Sequence, residues 1–312
     1  MPGYTFVATY SAVIFAGATP VLTEVDESLG MDPGDLEGRI THRTKAIIPV
    51  HMMGAPCDLA PIVEVARRHD LFVLEDCCQA LGASYGGRRV GTHGDLGAFS
   101  LNFFKTITAG DGGLLVTSNA DLYRRAFALH DQGHSPARAG VEIGARTIMG
   151  MNLRINELTG AVALAQLRKL DAITSALRAK KRALASLLEQ TGTYRLRASH
   201  DPEGECGTVL TLTFDDQREA RRVIDRLATK SVSESGWHVY SNMEHFIDKM
   251  RGLGQPAAKG TLPRTDSLLE RSMNISVGVV DGGLGAGFGI NIDSPADEIE
   301  RIAAQINAAL RG

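Results

Sequence analysis

Between residues 46 and 117 the chain repeats one pattern: a short apolar run, a cluster of polar residues at its end, then a spacer. Residues 46–50 (AIIPV) lead to His51 and Gly54. Residues 71–74 (LFVL) lead into Glu75 and Asp76, and residues 97–101 (GAFSL) lead through Asn102 to Lys105. Residues 113–117 (GLLVT) form a further run, and residues 19–25 (TPVLTEV) an earlier one. Between the runs at 46 and 71, residues 59–69 place Ile62, Val63, Val65 and Ala66 among charges at helical spacing. Strands alternating with a helix predict parallel βαβ units. Runs apolar on both faces predict a mostly parallel central sheet sandwiched by helices.

The second half reads differently. Residues 157–190 predict one long helix rich in Ala and Leu. Residues 208–214 (TVLTLTF) alternate like a strand, and residues 217–229 and 296–310 read as amphipathic helices. The expected division is a large α/β domain over residues 1–175, then a linker helix and a small C-terminal α/β domain over 176–312. The Gly-rich stretch 278–289 reads as a loop. Net charge is −3, from 33 basic and 36 acidic residues, and no basic block stands out, which argues against nucleic acid. No apolar run reaches the ~18 residues of a membrane span. The four cysteines match no zinc spacing and read as reduced thiols of a cytoplasmic protein.

Ligands of open α/β sheets sit beyond the carboxyl ends of the parallel strands. Here those ends carry His51, then Glu75, Asp76 and Gln79, then Ser100, Asn102 and Lys105. Pyridoxal phosphate (PLP) asks for such a set: a lysine that carries it as a Schiff base, a carboxylate on its ring nitrogen, and hydroxyl or amide donors for its phosphate. Lys105 is the candidate Schiff-base lysine, Asp76 the ring-nitrogen partner, Ser100 a phosphate ligand, and Phe6 an aromatic for the ring face. His51 reads either as a neighbour of the cofactor or as a core histidine, with the structural role favoured. Residues 236–245, with Trp237 and His238, read equally as a substrate-facing loop or a packed corner. His130 and His134 are read as no metal site.

These residues sit in motifs that resemble the DegT/DnrJ/EryC1/StrS family of sugar aminotransferases. The carriers are Glu75-Asp76-Cys77-Cys78-Gln79-Ala80-Leu81-Gly82-Ala83, Phe99-Ser100, Lys105-Thr106 followed by Gly110-Asp111-Gly112-Gly113, and Gly150-Met151-Asn152-Leu153-Arg154. Pro2, Thr5-Phe6-Val7-Ala8-Thr9 and Pro49-Val50-His51 match upstream, so the likeness is dense up to about residue 171. The resemblance implies the PLP-dependent transferase fold type I, with Lys105 and Asp76 catalytic. It implies Gln79 near the ring hydroxyl, Ser100 on the phosphate and Phe6 stacked on the ring. It places Asn152 on the phosphate of a partner subunit, hence a homodimer with shared sites. It implies an amino group passing from glutamate or glutamine to a nucleotide-linked keto-sugar or a keto-cyclitol. Related sugar dehydratases resemble the same fold with histidine in place of the lysine, so Lys105 argues for amino transfer. The family also carries several tens of residues upstream, including a phosphate-cradling turn. A truncated, non-catalytic homologue acting as a binding or regulatory partner is therefore the rival expectation.

Overall fold

The computed structural model of the chain describes residues 1–136, 148–278, 284 and 286–312. Helix α1 (Val7–Phe15) opens the chain, followed by the short α2 (Pro33–Leu36) and strand β1 (Ala46–Ile47). Helix α3 (Leu59–Arg68) then leads to β2 (Phe72–Asp76), a small hairpin of β3 (Ser84–Tyr85) and β4 (Arg88–Arg89), and β5 (Leu96–Ser100). Strand β6 (Gly113–Val116) and helix α4 (Ala120–His130) follow. Helices α5 (Glu157–Leu167) and α6 (Leu170–Ser186) lead into β7 (Tyr194–Leu196), β8 (Val209–Phe214) and α7 (Gln217–Arg226). Helices α8 (Glu244–Gly252) and α9 (Pro263–Glu270), strand β9 (Ser272–Ser276) and helix α10 (Ala296–Arg311) complete the order.

The first sheet has the order β1-β2-β5-β6, parallel except for β6. The expectation of βαβ units holds for β1, α3 and β2. It fails at β6, because a loop rather than a helix joins β5 to β6 and no crossover returns the chain to the far end of the sheet. Residues 19–25 do not form a strand. They make only single bridges, Pro2 to Thr23 and Val25 to Met31, because they lie along the N-terminal residues outside the sheet. The helix expected over 157–190 is broken between Leu167 and Leu170, where the chain turns to bury Leu170 with Leu81, Leu101 and Ile107. The Gly-rich loop at 278–289 lies largely outside the described residues.

Side-chain caps set several helix starts. Asn119, Asn156 and Asp216 accept amide hydrogens from the first turns of α4, α5 and α7. Helix α3 lays Leu59, Ile62, Val65 and Ala66 against Ile47 and Val73, with Arg67 and Arg68 at its negative end. A second core lies between the antiparallel sheet β7-β8-β9 and helices α6, α7 and α10. The third core crosses the molecule: Tyr4, Tyr10, Val50 and Met52 pack with Tyr240, Phe246 and Leu262. In it the Tyr10 and Phe246 rings stack at 4.3 Å. This shared core seats the start of the chain against the C-terminal half, beside Val50 and Met52 that follow β1.

Candidate active site

Alternation along β2 sends Glu75 and Asp76 in opposite directions. Glu75 is fully buried. Its carboxylate accepts the amides of Gly91, His93 and Gly94 at 2.7 Å each, and a hydrogen bond from His51 Nε2 at 3.2 Å. Burial by itself would raise the Glu75 carboxyl. The His51 hydrogen bond and the Gly94 and Gly91 amides outweigh it and hold the group below the ordinary glutamate range. His51 Nδ1 accepts the Cys57 amide at 3.2 Å, so the proton that faces Glu75 sits on Nε2. His51, Glu75 and Cys77 bring three ligand-type atoms within 4.8 Å of one another. The carboxylate is already consumed by four donors, and burial, followed by the charge of Glu75, pushes the Cys77 thiol far up. The trio acts as a knot that joins β1, β2 and the 91–94 turn.

Asp76 faces the other way. Its Oδ2 accepts a hydrogen bond from Thr9 Oγ1 at 2.7 Å, and its Oδ1 accepts the Cys78 amide at 3.1 Å. Its backbone is locked to the segment after β1 through Pro49 and His51 at 2.9 and 3.0 Å. A carboxylate offers about four acceptor positions, so beyond Thr9 and the Cys78 amide and thiol it keeps capacity for a further donor. Gln79 turns its side-chain oxygen to the Met53 amide at 2.9 Å, which leaves its NH2 as the end able to donate. The half-buried Cys78 thiol is pushed up by burial and then by Asp76, and pulled down by Lys105, so it lies within the field of both charges.

Lys105 Nζ stands 5.9 Å from the centre of the Phe6 ring, and that ring meets His238 at 5.2 Å. Phe6 is the N-cap of α1, and the Thr9 amide donates to its carbonyl. The residue that touches the lysine and the residue that holds the aspartate are therefore one helical turn apart. A small cleft is lined by Lys105, Gln79, Met53, Phe104, Thr106 and Thr208. Asp76 pairs with Ala98 in the parallel register. Ser100 therefore lies two residues farther along β5, about 7 Å beyond the level of Asp76.

Gln79 and Lys105 thus line one cleft, Phe6 adjoins Lys105, Asp76 is joined to the Phe6 turn through Thr9, and Ser100 stands farther along β5. Asn152, like Asp76, Phe6 and Ser100, does not line the cleft. It is exposed, bridges to Asp131, and accepts the Arg154 amide on its side chain. Sequence reasoning passed over Thr5 and Thr9, whose hydroxyls meet at 2.8 Å. Their i, i+4 spacing at a helix start was the available signal. Trp237 is 65% exposed while His238 is buried, so the two neighbours face different surroundings.

The described residues thus form an α/β sheet of transferase type, with a lysine, a carboxylate and an aromatic ring converging at its strand ends. The chain belongs to the DegT/DnrJ/EryC1/StrS aminotransferase family, whose profile matches residues 1–279. It is 35% identical over 227 residues to a GDP-perosamine synthase of Escherichia coli O157:H7, covering 71% of this chain and 60% of that protein. It is 38% identical over 198 residues to an L-glutamine:2-deoxy-scyllo-inosose aminotransferase of Streptoalloteichus tenebrarius, covering 61% of this chain and 47% of that one. The chain thus spans about half of the curated relatives it matches. Among solved structures, an aminotransferase from Psychrobacter cryohalolentis superimposes with a TM-score of 0.81 at 27% identity, covering 99% of this chain and 80% of that one. S. venezuelae DesV, solved with a ketimine intermediate, gives 0.81 at 26%, covering 100% and 78%.

Proposed function

We propose that the chain serves a PLP-dependent aminotransferase that moves an amino group from glutamate or glutamine to a nucleotide-linked keto-sugar or a keto-cyclitol. The observation that carries this reading is the pairing of Lys105 over the Phe6 ring with an Asp76 carboxylate fixed by the next turn of the same helix. The residues fit the group. An amine suits its aldehyde, an acceptor with spare lone pairs its ring nitrogen, and an amide donor its ring oxygen. PLP, when bound, supplies the electron sink for the pair left at the reacting carbon.

The protein's part is binding, orientation and proton movement. Lys105 would hold the cofactor covalently and, once released, would carry a proton at the substrate carbon that bears the nitrogen. Asp76 holds the ring nitrogen's proton in place. Gln79 would donate to the ring oxygen, Phe6 would pack on one ring face, and Ser100 would contribute to the phosphate site. The relatives' names, a GDP-perosamine synthase and an L-glutamine:2-deoxy-scyllo-inosose aminotransferase, support the acceptor class.

Asn152 is assigned to the phosphate of a partner subunit, which makes the working unit a homodimer. Support comes from its exposed position on a strongly apolar stretch, where Met149 is 96% and Leu158 81% exposed. Four free cysteines accord with a cytoplasmic setting, and no helix among the described residues is long and apolar enough to cross a membrane.

The test is to add PLP to the purified chain and record its visible spectrum. A visible band that borohydride bleaches while it fixes the pyridoxyl group to the protein, with the modified peptide containing Lys105, is the expected result. Lys105→Ala should abolish it. A fixed label on any other lysine, or no band, overturns the reading.

A further inference from the structure

We propose that Thr9, with Thr5 behind it, is a positioning residue that sets the Asp76 carboxylate for the cofactor ring and ties it to the C-terminal half of the chain. This rests on the PLP reading above. Thr9 is 8% exposed and Thr5 1% exposed, so neither hydroxyl turns to water. Thr9 has one proton and gives it to Asp76 Oδ2 at 2.7 Å. The 2.8 Å contact between the two hydroxyls must then run from Thr5 to Thr9. The hydrogen bonds therefore point one way, from Thr5 through Thr9 to the carboxylate. The Cys78 amide takes the other oxygen at 3.1 Å, so the carboxylate plane is held from both sides.

The upstream end is anchored as well. The Thr5 amide donates to the His238 carbonyl at 2.9 Å, and the His238 ring lies against Phe6. Residues 5–9 thus present the ring-packing aromatic and the carboxylate's donor from one backbone segment, and that segment is pinned to the loop of His238. An aspartate free to change rotamer would meet the ring nitrogen only part of the time. A charge-assisted donor at 2.7 Å removes that freedom before any ligand arrives.

The experiment is PLP titration, read by the visible band and by equilibrium dialysis, on the unaltered chain and on Thr9→Val, Thr9→Ser and Thr5→Val. Valine keeps the shape of threonine and removes the hydroxyl. Thr9→Val should weaken PLP binding about tenfold, the scale of one hydrogen bond to a charged group. Thr9→Ser should bind like the unaltered chain, and Thr5→Val should lose about threefold. Equal affinity in all four overturns the proposal and leaves the PLP reading standing. A weakened Thr9→Ser likewise overturns it, since loss of the methyl alone would then account for the effect. If Thr9→Val does not fold, Thr5→Val and Thr9→Ser decide by the same criteria. No band even in the unaltered chain overturns the PLP reading itself, and this proposal with it.

Discussion

At the scale of single residues, the two adjacent acids of β2 divide the labour. Asp76 is left with capacity for a ligand, whereas Glu75 has none. The hydrogen bonds that hold Glu75 below the ordinary glutamate range exist only in the folded chain. Its contribution to stability is therefore complete above the unfolded glutamate value and is lost as pH falls through the depressed folded value. Glu75→Gln would turn an NH2 toward amides that are themselves donors. It should cost about 3 kcal/mol at neutral pH by urea denaturation and should flatten the acid limb of stability against pH. An unchanged acid limb would show that Glu75 is not the group that titrates there.

Among elements, the segment that follows β7 clips the two halves together. Arg197 Nη2 donates to the Met52 carbonyl at 2.9 Å, and His200 lies 3.3 Å from Asp26 and 3.9 Å from Asp58. The Asp26 hydrogen bond raises the His200 imidazole despite partial burial. Its stabilising effect is thus full below the ordinary histidine value and fades as pH rises through the raised one. Melting temperature should decline as pH rises above the ordinary histidine value of about 6.5, and His200→Gln should remove that slope. The elements themselves were legible where periodicity was strong: α3, β2, β5, β8 and α10 lie within a residue or two of where their patterns put them. The antiparallel course of β6 was not legible, since orientation depends on what connects two strands and residues 101–112 carry no helical or strand pattern. The break before Leu170 was hidden because Ala- and Leu-rich residues on both sides favour helix, and only tertiary burial of Leu170 ends it. That Lys105, Asp76 and Gln79 are site candidates could be read from their place after apolar runs. The Thr9 contact could not, because it joins residues 67 positions apart.

For the whole molecule, apolar exposure is uneven. Helix α5 has no buried residue, and Leu158, Val162, Leu164 and Leu167 lie open on it. Edge strand β6 exposes Leu114 and Leu115 on both of its faces. A surface of this kind favours association. Leu158→Glu combined with Leu115→Lys should shift the chain toward a monomer in sedimentation velocity. Intrachain melting should change by less than about 0.5 kcal/mol, because neither side chain is buried. Unchanged sedimentation would remove this face from the association.

The turn that carries Lys105 is itself closed by its ends. Leu101 gives its amide to the Gly112 carbonyl and takes the Ala109 amide and the Thr108 hydroxyl on its own. The amine is thereby indexed to one antiparallel ladder rather than to the core at large. A slip of that ladder by a single position would invert every side chain on the slipped strand. The placement of Lys105 is in that sense a matter of strand registration, set where β5 and β6 first meet.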